Sequence, residues 1–261
     1  MNPTRRAAAA PAVGIDVGGA KIAAGLVDGA SGRILAREEV ATRPERGGEA
    51  VLHECAALAR SLGGGEVPVG IGLCELVDLD GRPASADTIE WRELDVAAAI
   101  AAPLVAIESD VRAAALAEAR FGAAPSPFLY VVVGTGASVC LVVEGRPYAG
   151  ARGRAIVLGA PPVERIASGA ALARGAGLDE AAIALGEVLA VLANALDPFV
   201  VVIGGGLGGD PTFRGRVAAV VQSSLAYPPV PPLELVGPRL GPDGGLVGAA
   251  LVALEPNVRS A

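Results

Sequence analysis

The sequence predicts an α/β fold of two related domains around a cleft. Three observations carry that prediction. Short apolar runs end repeatedly at glycine clusters, helical stretches alternate with those runs, and the opening pattern recurs once along the chain. Residues 13–17 read as a buried strand, Gly18-Gly19-Ala20 as a turn and residues 21–27 as a second strand. Shifted by 116 positions, Gly18 falls on Gly134, Val27 on Val143, Asp28 on Glu144 and Gly29 on Gly145. Residues 128–133, Gly134-Thr135-Gly136 and residues 138–143 then repeat the strand, turn and strand, which is the mark of an internal duplication.

The remaining elements follow in order. A turn over residues 28–32 leads to a third strand at 33–40, so the chain opens as an antiparallel meander. A helix over 48–62 is ended by Gly63-Gly64-Gly65. Strands at 67–73 and 104–107 flank a short helix at 96–101, and a helix over 110–121 stops at Gly122. The second half reads as helices at 166–173 and 179–195, a strand at 199–203, Gly204-Gly205-Gly206, and a helix at 212–225. A proline-rich link, a strand at 233–236 and a closing helix at 245–254 complete it. This predicts a flexible tail at 1–12, an N-terminal α/β domain at 13–108 joined by the closing segment 245–255, and a C-terminal α/β domain at 109–244. Ligands of such folds bind at strand ends, where glycines admit close backbone approach.

Composition narrows the function. Apolar residues make up 52 % and charged residues 19 %, which excludes a disordered chain. The longest weakly polar run, 128–143, holds Gly134-Thr135-Gly136 at its middle, so it reads as two strands and not as a membrane span. A net charge of −7 without a basic cluster speaks against a nucleic-acid partner. Cys55, Cys74 and Cys140 are scattered and odd in number, which gives no disulfide framework, and the single His53 leaves no Cys/His metal spacing. His53 reads as a surface residue of its helix and Cys140 as core. No signal peptide is read in residues 1–11, so a reducing cytoplasm is expected, without a membrane partner.

Four segments bear on chemistry. Asp16-Val17-Gly18-Gly19-Ala20-Lys21 places a carboxylate at a strand end before a tight turn. It suits a cradle for phosphate oxygens with a magnesium ion near the Asp, or a plain hairpin with an Asp at its rim. Gly134-Thr135-Gly136 is a small loop with a hydroxyl, fit for a terminal phosphate or for a simple turn. Gly204-Gly205-Gly206-Leu207-Gly208-Gly209 matches G-x-G-x-x-G, yet it lies near the C-terminus and not in an opening βαβ unit, so a nucleotide-approach loop is preferred to a Rossmann motif. Glu108-Ser109-Asp110 ends a strand and begins a helix, where Asp110 is either a helix cap or a general base.

Together these segments resemble the ROK family of the actin-like ATPase (ribonuclease H-like) superfamily, from about residue 13 to residue 254. Asp16 to Lys21 is similar to the family's D-x-G-G-T-K, with Ala20 for Thr. Glu108-Ser109-Asp110 with Ala113 to Glu118 is similar to E-N-D-A-N-A-A-A-L-x-E, with Ser109 and Arg112 for the two Asn. Gly134-Thr135-Gly136 matches the second phosphate loop, Gly204-Gly205-Gly206 the adenosine-side loop and Gly245 to Ala250 the terminal helix. The departures fall at the sugar-reading end. Val157 and Ala160 stand for the Glu and His of A-G-E-x-G-H, the cysteine-rich zinc loop is missing, and Cys74-Glu75 stands for Pro-Gly. Glu164 resembles the Glu after the last family cysteine, and Ser168-Gly169 the Ser-Gly that follows it. Trp91 closes a stretch like P-N-L-x-x-W with Thr88 near the Asn; its indole reads as packing.

The resemblance implies an ATP-dependent kinase of carbohydrate metabolism with Asp110 as general base. It implies phosphate and nucleotide binding by Asp16, Gly18, Gly19, Lys21, Gly134, Thr135, Gly136, Gly205 and Gly206, magnesium near Asp16, and no zinc. Glu75, Thr88, Ser109 and Glu164 are the implied substrate side. Val157 and Ala160 cannot pair with the usual sugar hydroxyls, and an unpaired buried polar group costs about 1–3 kcal/mol. The expected partner is therefore a cyclitol or carbasugar polyol in place of glucose. A homodimer is expected. The alternative is a catalytically inactive ligand-binding or regulatory relative; a repressor's helix-turn-helix finds no room in residues 1–12.

Overall fold

The structure, a computed structural model, describes residues 10–156 and 161–255, with the side chains of Pro161, Pro162 and Glu164 outside that description. The chain forms two compact units. One comprises residues up to Ala117 with those from Gly245 onward, and the other is Glu118–Gly244.

The first unit contains β1 (Pro11–Val17), β2 (Lys21–Asp28), β3 (Ile34–Ala41), α1 (Gly48–Ser61), β4 (Val69–Leu73), α2 (Val96–Ile100), β5 (Val105–Ser109) and the start of α3 (Asp110–Phe121). Its sheet runs β3-β2-β1-β4-β5. The meander β1–β2–β3 is antiparallel, while β4 and β5 lie parallel to β1. β4 is buried along its whole length, as near-continuous apolar strands covered on both faces are. The edge strand β3 instead exposes Arg37, Glu38 and Glu39, which blunt it against pairing with another chain. α1 buries Val51, Leu52, Cys55, Ala56, Leu58 and Ala59, a stripe at helical spacing, in the core with Ile15, Ile71 and Trp91.

The second unit contains β6 (Phe128–Val133), β7 (Ala137–Val143), β8 (Arg146–Pro147), α4 (Pro161–Ile166), α5 (Gly169–Ala173), α6 (Leu178–Leu196), β9 (Val200–Gly204), α7 (Gly205–Gly208), α8 (Pro211–Ser224) and β10 (Glu234–Val236). Its sheet runs β10-β9-β6-β7-β8. β6, β7 and β8 are antiparallel, and β9 and β10 follow β6 in parallel. Read from the meander side, both sheets have one topology, so the duplication seen in the glycine pattern extends to the whole sheet.

α9 (Gly244–Leu254) returns to the first unit and lies backbone to backbone on its sheet. A Cβ at Gly14 would overlap the Leu246 carbonyl, one at Gly70 the Ala249 carbonyl, and one at Gly248 the Ala113 carbonyl of α3. That close approach is why the helix is built from small and apolar residues. It also explains why the units divide at 117/118 and not at the predicted 108/109: the first turns of α3 pack on α9. Other differences are local. The helix expected at 166–173 breaks where Ser168 Oγ accepts the Ala171 N–H (3.1 Å) and caps α5. Two-residue β8 is too short to show a period. Among the described residues, no helix is long and apolar enough to cross a membrane.

Candidate active site

The candidate residues of the first unit gather at the carboxyl ends of its parallel strands. Asp16 of β1 pairs with Gly72 of β4, which pairs with Glu108 of β5. Asp110 opens α3 directly after β5. Gly72 leaves the space between the two aspartates open: its Cβ position lies 3.8 Å from Asp16 Oδ1 and 3.5 Å from Asp110 Cα. On its other side the Asp16 carboxylate meets the first turn of α9, where a Cβ at Gly245 would overlap it. A carboxylate is favoured at the N-terminal end of a helix.

Asp110 is half-buried. Loss of water, then the Asp16 charge and more weakly that of Glu75, raise its carboxyl from 3.8 to about 7, against the pull of the Val111 N–H. That N–H donates to Asp110 Oδ1 at 2.6 Å. A helix cap would bond two or three residues onward, so this contact is not the usual cap.

Glu75 is buried and turns its carboxylate toward the chain. Oε2 accepts from Ser85 Oγ and from the Asp87 N–H (2.8 Å), and Oε1 accepts from the N–H groups of Thr88 (2.7 Å) and Ile89 (2.9 Å). The sequence expectation placed this carboxylate on substrate; the structure fills its acceptor positions with the following loop. Thr88 is exposed and stands against the Cys74 thiol, which burial and the charges of Asp110 and Glu75 push up to about 12. Cys74 therefore stays a thiol at neutral pH. Ser109 is fully buried, and its Oγ has no hydrogen-bond partner.

The β1–β2 turn closes through Gly18 N–H to the Lys21 carbonyl (3.0 Å). Lys21 Nζ donates to Glu39 Oε2 at 3.0 Å in an exposed pair. In the second unit, Gly134 N–H donates to the Gly136 carbonyl (2.9 Å), and Gly169 N–H at the start of α5 donates to the Gly134 carbonyl (2.7 Å). Thr135 is exposed at the tip of this loop. Val132 pairs with Gly204, so the loops 134–136 and 204–206 lie at the ends of neighbouring strands. Gly205 has φ +85° and faces the Val133 carbonyl closely enough that a Cβ would stand 2.5 Å from it, two reasons for glycine there. Gly205 and Gly206 are exposed. Val157 and Ala160 lie outside the described residues, as does the Glu164 side chain, although its backbone lies in α4.

The sequence model described as the ROK family matches residues 12–168 and 163–255. The chain belongs to this family. A relative from Brucella melitensis, the "Bifunctional enzyme NanE/NanK", is 30 % identical over 286 aligned residues, covering 93 % of this chain and 54 % of the relative. This ROK chain thus spans about half the length of that bifunctional protein. A ROK family glucokinase from Streptomyces griseus, solved in complex with glucose and AMPPNP, is similar with a TM-score of 0.77 at 27 % identity, over 94 % of this chain and 99 % of that one. The ROK hexokinase from Thermus thermophilus gives 0.73 at 28 % identity, over 94 % and 98 %. The two mixed sheets are the α/β domains of the actin-like ATPase fold that these ROK proteins share.

Three residues support the candidate site through contacts that no sequence pattern marks. Thr42 is fully buried; its Oγ1 donates to the Gly18 carbonyl (2.7 Å) and its N–H to the Ala20 carbonyl (3.1 Å), which fixes the Asp16 turn. Its partners are main-chain carbonyls 20 or more residues away, so no pattern marks it. Gly245 was read only as part of a helix, and its contact with Asp16 is a tertiary fact. Glu118, the last residue of the Asp110 motif, accepts from the Arg239 N–H (3.0 Å) and steadies the segment before α9.

Proposed function

We propose that this ROK protein is an ATP-dependent carbohydrate kinase that phosphorylates a hydroxyl of a sugar-like small molecule, with Asp110 as general base. The observation that carries the proposal is the Asp110 carboxyl, held at the end of β5 beside Asp16 and raised to about 7. A base works best when its pKa lies near the working pH, and such a base contributes roughly 10²–10⁴ in rate. The acceptor hydroxyl gives its proton to an Asp110 oxygen. Its own oxygen forms the new bond to the γ-phosphorus as the bond to the β,γ-bridging oxygen breaks, and ADP leaves with that electron pair.

The other roles follow from the donor chemistry. Gly18 and Gly134 close their turns with their own N–H groups and give the two loops their shape, so Gly19 in the first unit and Thr135 and Gly136 in the second are the N–H and hydroxyl donors for phosphate oxygens; Gly205 and Gly206 admit the adenosine. The exposed Lys21–Glu39 pair is of the weak kind, so Lys21 is able to exchange Glu39 for a phosphate. Asp16 is a hard oxygen donor beside a second carboxylate, which fits magnesium, an ion held by one or two carboxylates together with substrate phosphates. Bound there, magnesium supplies charge neutralisation to those phosphates. Among the described residues no three His, Cys, Asp or Glu side chains group as a metal cage, and this reading needs none. Ser109, with its unpaired hydroxyl, and the exposed Thr88 are the substrate donors of this reading, with Glu164 added by its place in the motif. Supporting the narrower substrate class, a cyclitol or carbasugar in place of glucose, are Val157 and Ala160. A cytoplasmic homodimer completes the proposal, with light scattering as the check on the dimer.

The test is phosphoryl transfer from Mg-ATP, read by mass spectrometry, across glucose, N-acetyl sugars, inositols and C7-cyclitols, with wild type beside Asp110→Asn. Transfer to a cyclitol but not to glucose, lost in Asp110→Asn, is expected. Brisk transfer to glucose overturns the narrower class and keeps the kinase. Nucleotide binding without transfer to any acceptor overturns the kinase in favour of a ligand-binding protein.

A further inference from the structure

Two buried charged side chains beside the aspartate pair grip one segment, residues 74–91. Its first half is a small hairpin: Asp78 N–H donates to the Arg82 carbonyl (2.9 Å), Ala84 N–H to the Leu76 carbonyl (2.7 Å), and Val77 bridges Pro83. Its second half folds around Glu75, which is 3 % exposed. The four donors from Ser85, Asp87, Thr88 and Ile89 match the four acceptor positions of a carboxylate. The Ser85 hydroxyl also accepts from the Leu76 N–H (2.9 Å), which ties the two halves together.

The second grip comes from α3. Arg112 is 2 % exposed and sits two residues after Asp110. Its Nε donates to Glu108 Oε1 at 2.8 Å, and its Nη2 donates to the Val77 carbonyl at 2.6 Å. The hairpin is thereby fastened to the helix that begins with Asp110. Cys74 N–H donates to the Val17 carbonyl (3.2 Å), so the segment starts against the strand that carries Asp16. A buried charge whose partner is removed costs several kcal/mol, so each grip resists loosening.

We propose that Glu75 and Arg112 are positioning residues that hold residues 74–91 in one fixed shape beside Asp16 and Asp110, and that this prebuilt wall selects the acceptor. The inference rests on reading Asp110 as the base of a phosphotransferase. Because the N–H groups of residues 87–89 face Glu75, a bound acceptor meets the exposed Thr88 side chain and not free backbone donors. A polyol able to bond a single hydroxyl there is favoured. A wall ordered before binding leaves less entropy to be lost when the acceptor arrives.

Glu75→Gln tests this, because it keeps the size and sets an amide NH₂ against donors that need an acceptor. Ser85→Ala removes one donor without touching a charge and serves if the first variant does not fold. Two readouts are taken: amide hydrogen exchange at Asp87, Thr88 and Ile89, and steady-state kinetics with whichever of D-glucose, N-acetyl-D-mannosamine, myo-inositol or a C7-cyclitol the wild type phosphorylates. In Glu75→Gln, exchange at the three amides is expected to quicken by about tenfold or more, and the acceptor KM to rise by a similar factor. The ATP KM and kcat are expected to stay within about twofold, with Ser85→Ala in between. Unchanged exchange overturns the clamp whatever the activity. Acceptor and ATP KM rising together overturn acceptor selection. Faster exchange in a protein whose wild type phosphorylates none of the four upholds the clamp and overturns the phosphotransferase reading beneath it.

Discussion

The two units share one sheet topology and load the same strand ends differently. Shifting by 116 positions brings Asp16 onto Val132, so the first copy carries a carboxylate where the second carries a methyl-tipped side chain. β5 runs into Ser109 and Asp110, whereas its counterpart β10 runs into Gly237 and Pro238. The second copy instead keeps Gly134-Thr135-Gly136 and Gly204-Gly205-Gly206 at its ends. Fold thus supplies the place and not the chemistry. In one copy burial, and after it the neighbouring Asp16 charge, raises the Asp110 carboxyl, while the other copy has no carboxylate at the matching strand ends.

Removing the charge from the first copy breaks the contrast hardest. Asp110→Asn is expected to lower kcat by about 10²–10⁴ in steady-state assays. In wild type, kcat/KM is expected to rise with pH and level off above about 7, as the base ionises. Stability runs the other way. Asp110 holds its proton to about 7 when folded, above its ordinary 3.8, so across that window the folded state binds more protons and stability falls as pH rises. Asp110→Asn has no such proton. Its melting temperature is expected to exceed that of wild type above pH 7 and to converge with it near pH 4. A gap that does not change with pH removes the electrostatic account.

The second contrast lies under the sheet. Gly14 and Gly70 are paired in β1 and β4, and they let α9 down onto the strands. Their counterparts, Tyr130 and Val202, are also paired and carry full side chains. Gly70→Ala is expected to destabilise the fold by about 3 kcal/mol, the upper range for overpacking, because the obstacle is the Ala249 main chain and not a mobile side chain. Chemical denaturation measures it. A loss below about 1 kcal/mol means that α9 shifts freely.

How much of this was legible depends on what marks a feature. Strands bounded by glycine clusters were legible, and so was the duplication, because Gly18 and Gly134 hold the same place in two hairpins. α7 was not, since glycine has poor helix propensity and the turn is set by Gly205 against the end of β6. Asp16 and Asp110 were visible as candidates; their meeting across Gly72 was not, because 94 residues separate them in sequence. Glu75 was visible only as an odd carboxylate. Three of its four donors are backbone N–H groups, which every residue but proline has, so no side-chain identity announces them.

Gly245→Ala comes next in size. The new methyl overlaps the Asp16 carboxylate and must push it from its place. A displacement of about an ångström at a positioned group costs up to roughly 10²-fold in rate. The expected result is a fall of about ten- to a hundredfold in kcat/KM, with a smaller change in melting than Gly70→Ala produces. Full activity in a variant that folds shows that Asp16 need not sit where it does.

Gly134→Ala is the gentlest probe and the one that sharpens the comparison most. Gly134 sits where Gly18 sits in the first copy, yet no heavy atom lies within 4 Å of its Cβ position. The fold therefore has no steric need for glycine there, and melting is expected to move by about 1 °C or less. If the loop takes phosphate oxygens at close range, a methyl group still hinders their approach. The ATP KM is then expected to rise several-fold, while the acceptor KM stays put. A drop in melting temperature with unchanged ATP KM reverses the assignment: glycine would then serve the hairpin, and the second copy would lose its claim to the phosphates.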